Sequence, residues 1–432
     1  MASASDSGLG SETSAAPSTS SGSSATGTSS GGSVDGTSST TTGVGFEPTL
    51  SFERITDTNR AYPEMHGGWG PHLRAPMRAA DGSLWFAYDG GPSVLSNTTI
   101  HYARRDADGT WTDAVSQAHA AGVQQNAAHV MSGNVILTYA VNTGASLLEE
   151  CYLDVTDLDN RACNTVTIGG PYSTPPNSNY VGAALDPNGA RIVWFTVVGA
   201  SGGVGDFIYT YNFGGGWNGP VVTTLPGYND MAYVRASFSA ANTISWLGQA
   251  YTGQYANGEY GIGAREVSLG QPADFVTLGP AVGVDEIVRS AGDVWVDPDS
   301  GDTHAFARVD QATHYYVRPA GQSWADHAEP VDVLESVSRA RFSTANDGPL
   351  MVLTSGGEGL VLRWAEPSVD IDWNAAPSVE VVVPSEGFEA PSALYTAGPE
   401  YQTTAVDSLH FAVCGQYQVA DHEVWYVRVE TD

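Results

Sequence analysis

With 432 residues and a formal net charge of −31, the chain is long enough for one large domain and too acidic to attract nucleic acid or an anionic membrane surface. Its 50 Gly, 11 Trp and 20 Tyr, against only 15% charged residues, suit many short strands joined by tight turns. All 17 basic residues are Arg, and no stretch approaches the roughly 18 apolar residues of a membrane span.

Residues 1–45 are almost wholly Ser, Gly, Thr and Ala. Such a segment cannot bury enough apolar surface to offset chain entropy, so a disordered tether is expected ahead of a folded region over 46–432. The tether resembles the stalk that follows the lipid-modified cysteine of bacterial surface lipoproteins. The chain opens "MASAS", with neither an apolar signal region nor an N-terminal Cys. The expectation is a secreted or outer-surface-tethered bacterial protein whose export signal has been removed.

Beyond the tether, "PTLSFERIT" (Pro48 to Thr56) reads as a lone strand. Seven apolar runs follow: "LWFAY" from Leu84, "VILTY" from Val135, "RIVWF" from Arg191, "TISWL" from Thr243, "THAFA" from Thr303, "PLMVL" from Pro349 and "LHFAV" from Leu409. Their starts average about 54 residues apart, a fixed period that signals a repeat architecture. Turn sequences such as "ADGS", "DPNGA" and "DPDSGD" precede most of them, and the runs are too short and too β-branched or aromatic for helices. A Gly-rich turn ending in Trp recurs as "DADGTW", "FGGGW" and "AGQSW", with Trp111, Trp217 and Trp324 spaced 106 and 107 residues apart. Each unit therefore reads as four strands, with the Trp packed where the third strand turns into the fourth. The fold predicted is all-β, a seven-bladed β-propeller of four-stranded blades. Pairing the lone early strand into the last blade would remove the open edge.

Three cysteines are present. Cys151 and Cys163 have a spacing that can close one hairpin, so they are either a disulfide, which would indicate an oxidising compartment, or two free thiols. Cys414, in "LHFAVC", reads as a buried thiol.

The turn "RRDADGTW" is a degenerate copy of the Ser-x-Asp-x-Gly-x-Thr-Trp box, and with the repeat it resembles the sialidase-like, BNR-repeat propeller superfamily over roughly residues 46–432. The Arg-Ile-Pro motif of true sialidases is not found in the sequence. The resemblance implies a propeller and, by analogy with ulvan-lyase-like members, a central funnel that uses His, Tyr and Arg on uronate polysaccharides.

In a propeller the ligand face is built by the innermost strands and the loops entering them. Those segments hold His66, His72, Arg74, Asn126, His129, Asn179, Tyr180, Tyr228, Asp230, Tyr233, Arg235, Glu286, Arg289, Arg339, Arg341, Tyr395 and Tyr401. Five of the scarce Arg fall there, and Arg pairs bidentately with carboxylate or sulfate. His129 is the candidate base, because an imidazole takes a proton α to a carboxylate near neutrality. Tyr233 or Tyr180 would protonate the leaving oxygen. Arg235, two residues after Tyr233, is expected on the same strand face, where it would neutralise the substrate carboxylate. Arg74, His72, Asn126, Asn179, Arg289, Arg339, Arg341 and Glu286 are the candidate substrate-binding residues. Each of these also has a structural reading: an Arg paired with local acid between blades, or a satisfied core histidine.

No cofactor is expected. "DPDSGD" (Asp297 to Asp302) has the look of a calcium loop, yet its place before a core strand favours a hairpin turn. His66 and His72 could ligate a metal but lack an evident third ligand. The predicted function is a lyase of an acidic polysaccharide, acting as a monomer. Two other classes fit the same fold: a lectin-like glycan-binding propeller, and a glycoside hydrolase using Asp230 and Glu286 as its two acids.

Overall fold

The computed structural model places every one of the seven apolar runs in a strand paired on both sides. It describes residues 48–55, 61–62, 76–90, 99–118, 127–142, 147–167, 181–186, 188–198, 205–223, 230–240, 242–251, 260–272, 275–282, 292–309, 312–344, 349–356, 359–384, 393–396, 408–414 and 424–430. All of them belong to the larger of two compact units, Ser33–Asp432.

The third sheet shows the repeating plan. Val181–Leu185, Arg191–Val198, Gly205–Asn212 and Trp217–Thr223 pair antiparallel in chain order, each joined to the next by a short connection. All five residues of Val181–Leu185 are buried, because both faces of the sheet lie against neighbouring sheets. This is why the core strands read as continuous apolar runs and not as strict alternation. Each apolar cluster is shared between successive sheets: Val130 and Val193 in one, Trp194 and Trp246 in the next, Phe306 and Val352 further on. The first strands of successive sheets also contact one another, so they line the inside of the array.

Thr49–Arg54 pairs with Val424–Glu430 in full register, from Thr49 opposite Glu430 to Arg54 opposite Trp425. A strand from the start of the folded region thus closes the last sheet and covers its edge. Another cluster, including Phe86, Trp111 and Tyr426, joins that closing sheet to the first.

The expectation of seven four-stranded blades is corrected. Six sheets are four-stranded blades, and the sheet around Leu84–Gly90 has five strands. Its inner position is split: Ala61–Tyr62 pairs with the end of Leu84–Gly90 and Met77–Arg78 with its start. The intervening sequence carries Gly67, Gly68, Gly70 and Pro71, residues that disfavour one continuous ladder.

The Trp turns are seals between sheets. Trp111 begins the strand Trp111–Ala118, donates from Nε1 to Glu53 Oε2 at 3.0 Å, and meets the Tyr426 ring at 5.4 Å between centroids. Arg105 grips the same Glu53 carboxylate through Nε and Nη2. The tight turn needs Gly109 at φ +85, in the left-handed region, and a Cβ there would lie 3.1 Å from Glu53 Oε1. Trp217 packs edge-on against Tyr139 of the preceding sheet at 5.8 Å. Trp324 stands in the short 3-10 turn Trp324–Asp326 and packs into a cluster with Ile262, Ala264 and Leu278 of the preceding sheet.

Among the described residues no helix is long and apolar enough to cross a membrane.

Candidate functional site

Arg235 stands on the inner strand Asp230–Ala240 with its side chain only 6% exposed. Its Nε lies 3.9 Å from Oδ1 of Asp293, the first residue of the next inner strand, Asp293–Val296. That separation is an ion pair without a hydrogen bond. Asp293 spends its carboxylate on the backbone: Oδ1 accepts from Val294 N at 3.1 Å and Oδ2 from Phe342 N at 3.0 Å. One carboxylate thereby ties three successive inner strands, since Phe342 belongs to Val337–Thr344. Ser237, two residues after Arg235, accepts at Oγ from Val296 N at 3.2 Å and fixes the same pair of strands.

Arg341 reaches the same place from the other side. It is fully buried, and Nη1 donates to Gly292 O at 3.1 Å and to Ala340 O at 2.7 Å. A Cβ on Gly292 would collide with the Phe306 carbonyl, so only glycine lets this backbone approach. Two guanidinium groups therefore converge on the short segment Gly292–Asp293, which supplies a single carboxylate. Nε and Nη2 of Arg235 have no hydrogen-bond partner among the described residues. Leaving such buried donors unmet costs about 1–3 kcal/mol each.

His129 lies on another inner strand, Ala128–Ser132, directly opposite Thr138 in the register. Its Nδ1 is 3.0 Å from Thr138 Oγ1, and that hydroxyl is 2.7 Å from the Tyr102 hydroxyl of the first sheet. The Tyr102 ring also meets the imidazole edge-on at 6.0 Å. The imidazole is 5% exposed. Tyr102–Thr138–His129 is thus a polar chain crossing from the first sheet to the second, and it fixes the orientation of the ring.

The residues singled out from the sequence fall into four groups. Arg235 and Arg341 are brought together at Gly292–Asp293, while His129 belongs to a separate group with Thr138 and Tyr102. Asp230, Tyr233, Arg339 and Tyr395 lie on described strands with only their backbones placed. His66, His72, Arg74, Asn126, Asn179, Tyr180, Tyr228, Glu286, Arg289 and Tyr401 lie outside the described residues. Tyr233 shares its strand with Arg235, and the register shifts between Ala232 and Arg235: Ala232 faces Gln249 and Arg235 faces Leu247, so the strand carries one extra residue there, a β-bulge.

Asp293, Thr138 and Tyr102 were not evident as site residues from the sequence. Thr138 could have been found by setting "AAHVMS" against "VILTY" in a tight hairpin. Asp293 gives no local signal, because its partners come from strands about 50 residues away on either side.

Cys151 and Cys163 face each other across antiparallel strands and are joined by a disulfide. Glu149 lies beside them, and among the described residues this is the one close group of potential metal ligands, with both sulfurs held in the disulfide. The segment Asp297 to Asp302 is a hairpin turn. Asp297 Oδ1 accepts from Asp299 N at 2.9 Å, its Oδ2 accepts from Ser300 Oγ at 2.7 Å, and Asp302 Oδ1 accepts from Ala320 N at 2.8 Å. The Asp297 carboxylate is thus engaged by the turn itself and that of Asp302 by the neighbouring turn at Ala320.

No protein-family model and no curated protein matches the sequence. Solved structures do. A polysaccharide lyase, Uly1, superposes with a TM-score of 0.52 at 9% identity, covering 84% of this chain and 90% of that one. An ulvan lyase of polysaccharide lyase family PL25 superposes with a TM-score of 0.54 at 12% identity, covering 86% of this chain and 94% of that one, and has also been solved bound to -[GlcA(1-4)Rha3S]-. Identities this low establish the propeller fold, which many unrelated activities share.

Proposed function

We propose that the protein is a carbohydrate-active propeller, a polysaccharide lyase that cleaves a uronate-containing polysaccharide by β-elimination. The observation that carries this reading is the Arg235 guanidinium: buried, held 3.9 Å from Asp293, and with Nε and Nη2 uncommitted among the described residues. Arg235 would bind the uronate carboxylate and draw charge toward it as the C5 proton leaves. Arg341, saturated in part by Gly292 O and Ala340 O, acts as a positioning residue for the Gly292–Asp293 segment.

His129 is the base in this scheme, which requires its Nε2 and the Arg235 guanidinium to reach the same sugar ring from separate inner strands. The scheme takes the tautomer in which Nδ1 carries the proton toward Thr138 Oγ1, 3.0 Å away, and Nε2 takes the C5 proton. The C5–H electrons form the C4=C5 double bond, the C4–O glycosidic bond breaks, and the leaving oxygen takes a proton from Tyr233 or Tyr180. The similarity to lyase propellers supports the scaffold for such chemistry. The Cys151–Cys163 disulfide supports an exported, oxidising location, secreted or tethered at the outer surface.

The test is absorbance in the ultraviolet band of unsaturated uronates, with the protein offered a panel of uronate polysaccharides. A rise that falls by at least about 100-fold in Arg235→Ala, the loss expected for one transition-state charge contact, supports elimination. New reducing ends without the absorbance would sink the lyase reading in favour of hydrolysis. Retention on a glycan column with no cleavage would leave a binding module.

A further inference from the structure

A second site lies at the opposite end of the strands from the loops that enter the inner positions. Turns joining first to second strands and third to fourth strands share one end of a propeller sheet. Two such turns of the third sheet and one of the fourth enclose a cleft of about 280 Å³, lined by Asn188, Gly189, Ala190, Arg191, Asn212, Phe213, Gly214 and Asn242. That is just under the about 300–1,000 Å³ of a site for a drug-sized ligand, which limits the occupant to one or two sugar rings.

Phe213 is 54% exposed and is the one aromatic ring among the exposed large hydrophobic side chains of the described residues. It is not loose: Tyr211 packs against it edge-on at 5.1 Å, so the ring is presented as a fixed platform. The carboxamides of Asn188, Asn212 and Asn242 surround it. Asn212 Oδ1 accepts from Gly214 N and Gly216 N, and this leaves its NH2 free to donate among the described residues. Asn188 and Asn242 are exposed, with no side-chain hydrogen bond among the described residues.

The walls are held together without spending those amides. Asp186 accepts from Asn188 N and Ala190 N within its own turn, and from Asn242 N of the next sheet at 3.2 Å. The positive wall is neutralised, because Arg191 Nη1 donates to Glu150 Oε1 at 2.7 Å. An apolar ring face beside uncommitted amides, with no net charge, matches the apolar face and hydroxyls of an uncharged sugar.

We propose that this cleft is a peripheral binding site for a neutral sugar unit of a polysaccharide, distinct from the Arg235 position and independent of its chemistry. The occupant stacks one ring face on Phe213 and exchanges hydroxyl hydrogen bonds with Asn188, Asn212 and Asn242.

The experiment is calorimetric titration of the full chain with cellohexaose, mannohexaose, xylohexaose and a neutral galactohexaose, in the wild type, Phe213→Ala, Asn242→Ala and Arg235→Ala. At least one hexaose is expected to bind with a Kd of about 1 mM or tighter. Phe213→Ala should weaken it at least about tenfold and Asn242→Ala about threefold, while Arg235→Ala leaves it unchanged. An unchanged melting temperature in Phe213→Ala shows that the loss is not unfolding. The proposal is overturned if none of the four binds, or if binding survives Phe213→Ala. Loss in Arg235→Ala alone would move the sugar to the inner site and overturn it as well. A failure of the lyase reading would leave these titrations untouched.

Discussion

Arg318 and Arg235 are nearly equally buried, at 3% and 6% side-chain exposure, but they hold different things. Arg318 donates from both Nη groups to the Glu266 carboxylate of the preceding sheet, and adds Thr303 Oγ1 and Gln322 O. Trp324 lies beside it, 5.9 Å from the guanidinium carbon. The same pieces recur at the first Trp turn, where Arg105 and Trp111 both engage Glu53. Arg235 has one carboxylate at ion-pair distance and two uncommitted donors. A buried Arg whose hydrogen bonds are largely met fastens two sheets, whereas Arg235 keeps two buried donors unmet among the described residues.

The largest effect should come from breaking a fastening. Glu266→Ala strands the Arg318 charge in the sheet interface and should lower unfolding free energy by about 3–5 kcal/mol. Urea titration would show it as a lower midpoint at unchanged slope. A loss below about 1 kcal/mol would mean that the pair behaves like a surface ion pair and that the contrast with Arg235 is not real.

Next in size is a response to acid on the other face of the same sheet. His304 is wholly buried between Trp295, Tyr315 and Phe342, with Nδ1 2.6 Å from the Tyr315 hydroxyl. Loss of hydration pushes its pKa down to about 4, against the weaker upward pull of Asp297 and Asp302. The unfolded chain takes up a proton near pH 6.5 and the native chain does not. Stability is therefore fully present above about pH 6.5, and falls by about 3 kcal/mol as the pH drops to about 4. His304→Gln should flatten the curve of unfolding free energy against pH across that window. A variant whose curve keeps the wild-type slope would show that other groups carry the acid response.

The inner site should behave in the opposite way. Arg235→Ala is expected to cost at least about 100-fold in turnover but less than about 1 kcal/mol in stability, because Asp293 keeps both of its backbone donors. Equal loss of turnover and stability would make Arg235 another fastening.

The two regions also differ in how far the sequence revealed them. The strands, the Trp turns and the closing strand were legible because each is a local pattern repeated at a nearly constant interval. The single departure, the five-stranded first sheet, falls where Gly67, Gly68, Gly70 and Pro71 interrupt the pattern. Arg235 was singled out from Arg scarcity alone. Its partner Asp293 and the bulge after Ala232 were not, since both depend on pairing with distant strands. The cleft around Phe213 was hidden for the same reason: its walls are turns that become neighbours only when the third and fourth sheets stack.

The finest comparison is between two glycine turns. Gly109 and Gly133 both sit in the left-handed region, at φ +85 and +61. A Cβ at Gly133 meets nothing within 4 Å, whereas at Gly109 it would press on Glu53 Oε1 at 3.1 Å and lie 3.5 Å from Arg105 Nη2. Substituting Ala at either position should cost about 1–2 kcal/mol for the backbone conformation alone. Gly109→Ala should lose a further few tenths to 1 kcal/mol, because the Glu53 carboxylate is held by Arg105 and Trp111 and has little room to retreat. Parallel urea titrations of the two variants isolate that difference. If the two losses are equal, the Glu53 seal yields freely, and the first Trp turn is less rigid than its hydrogen bonds imply.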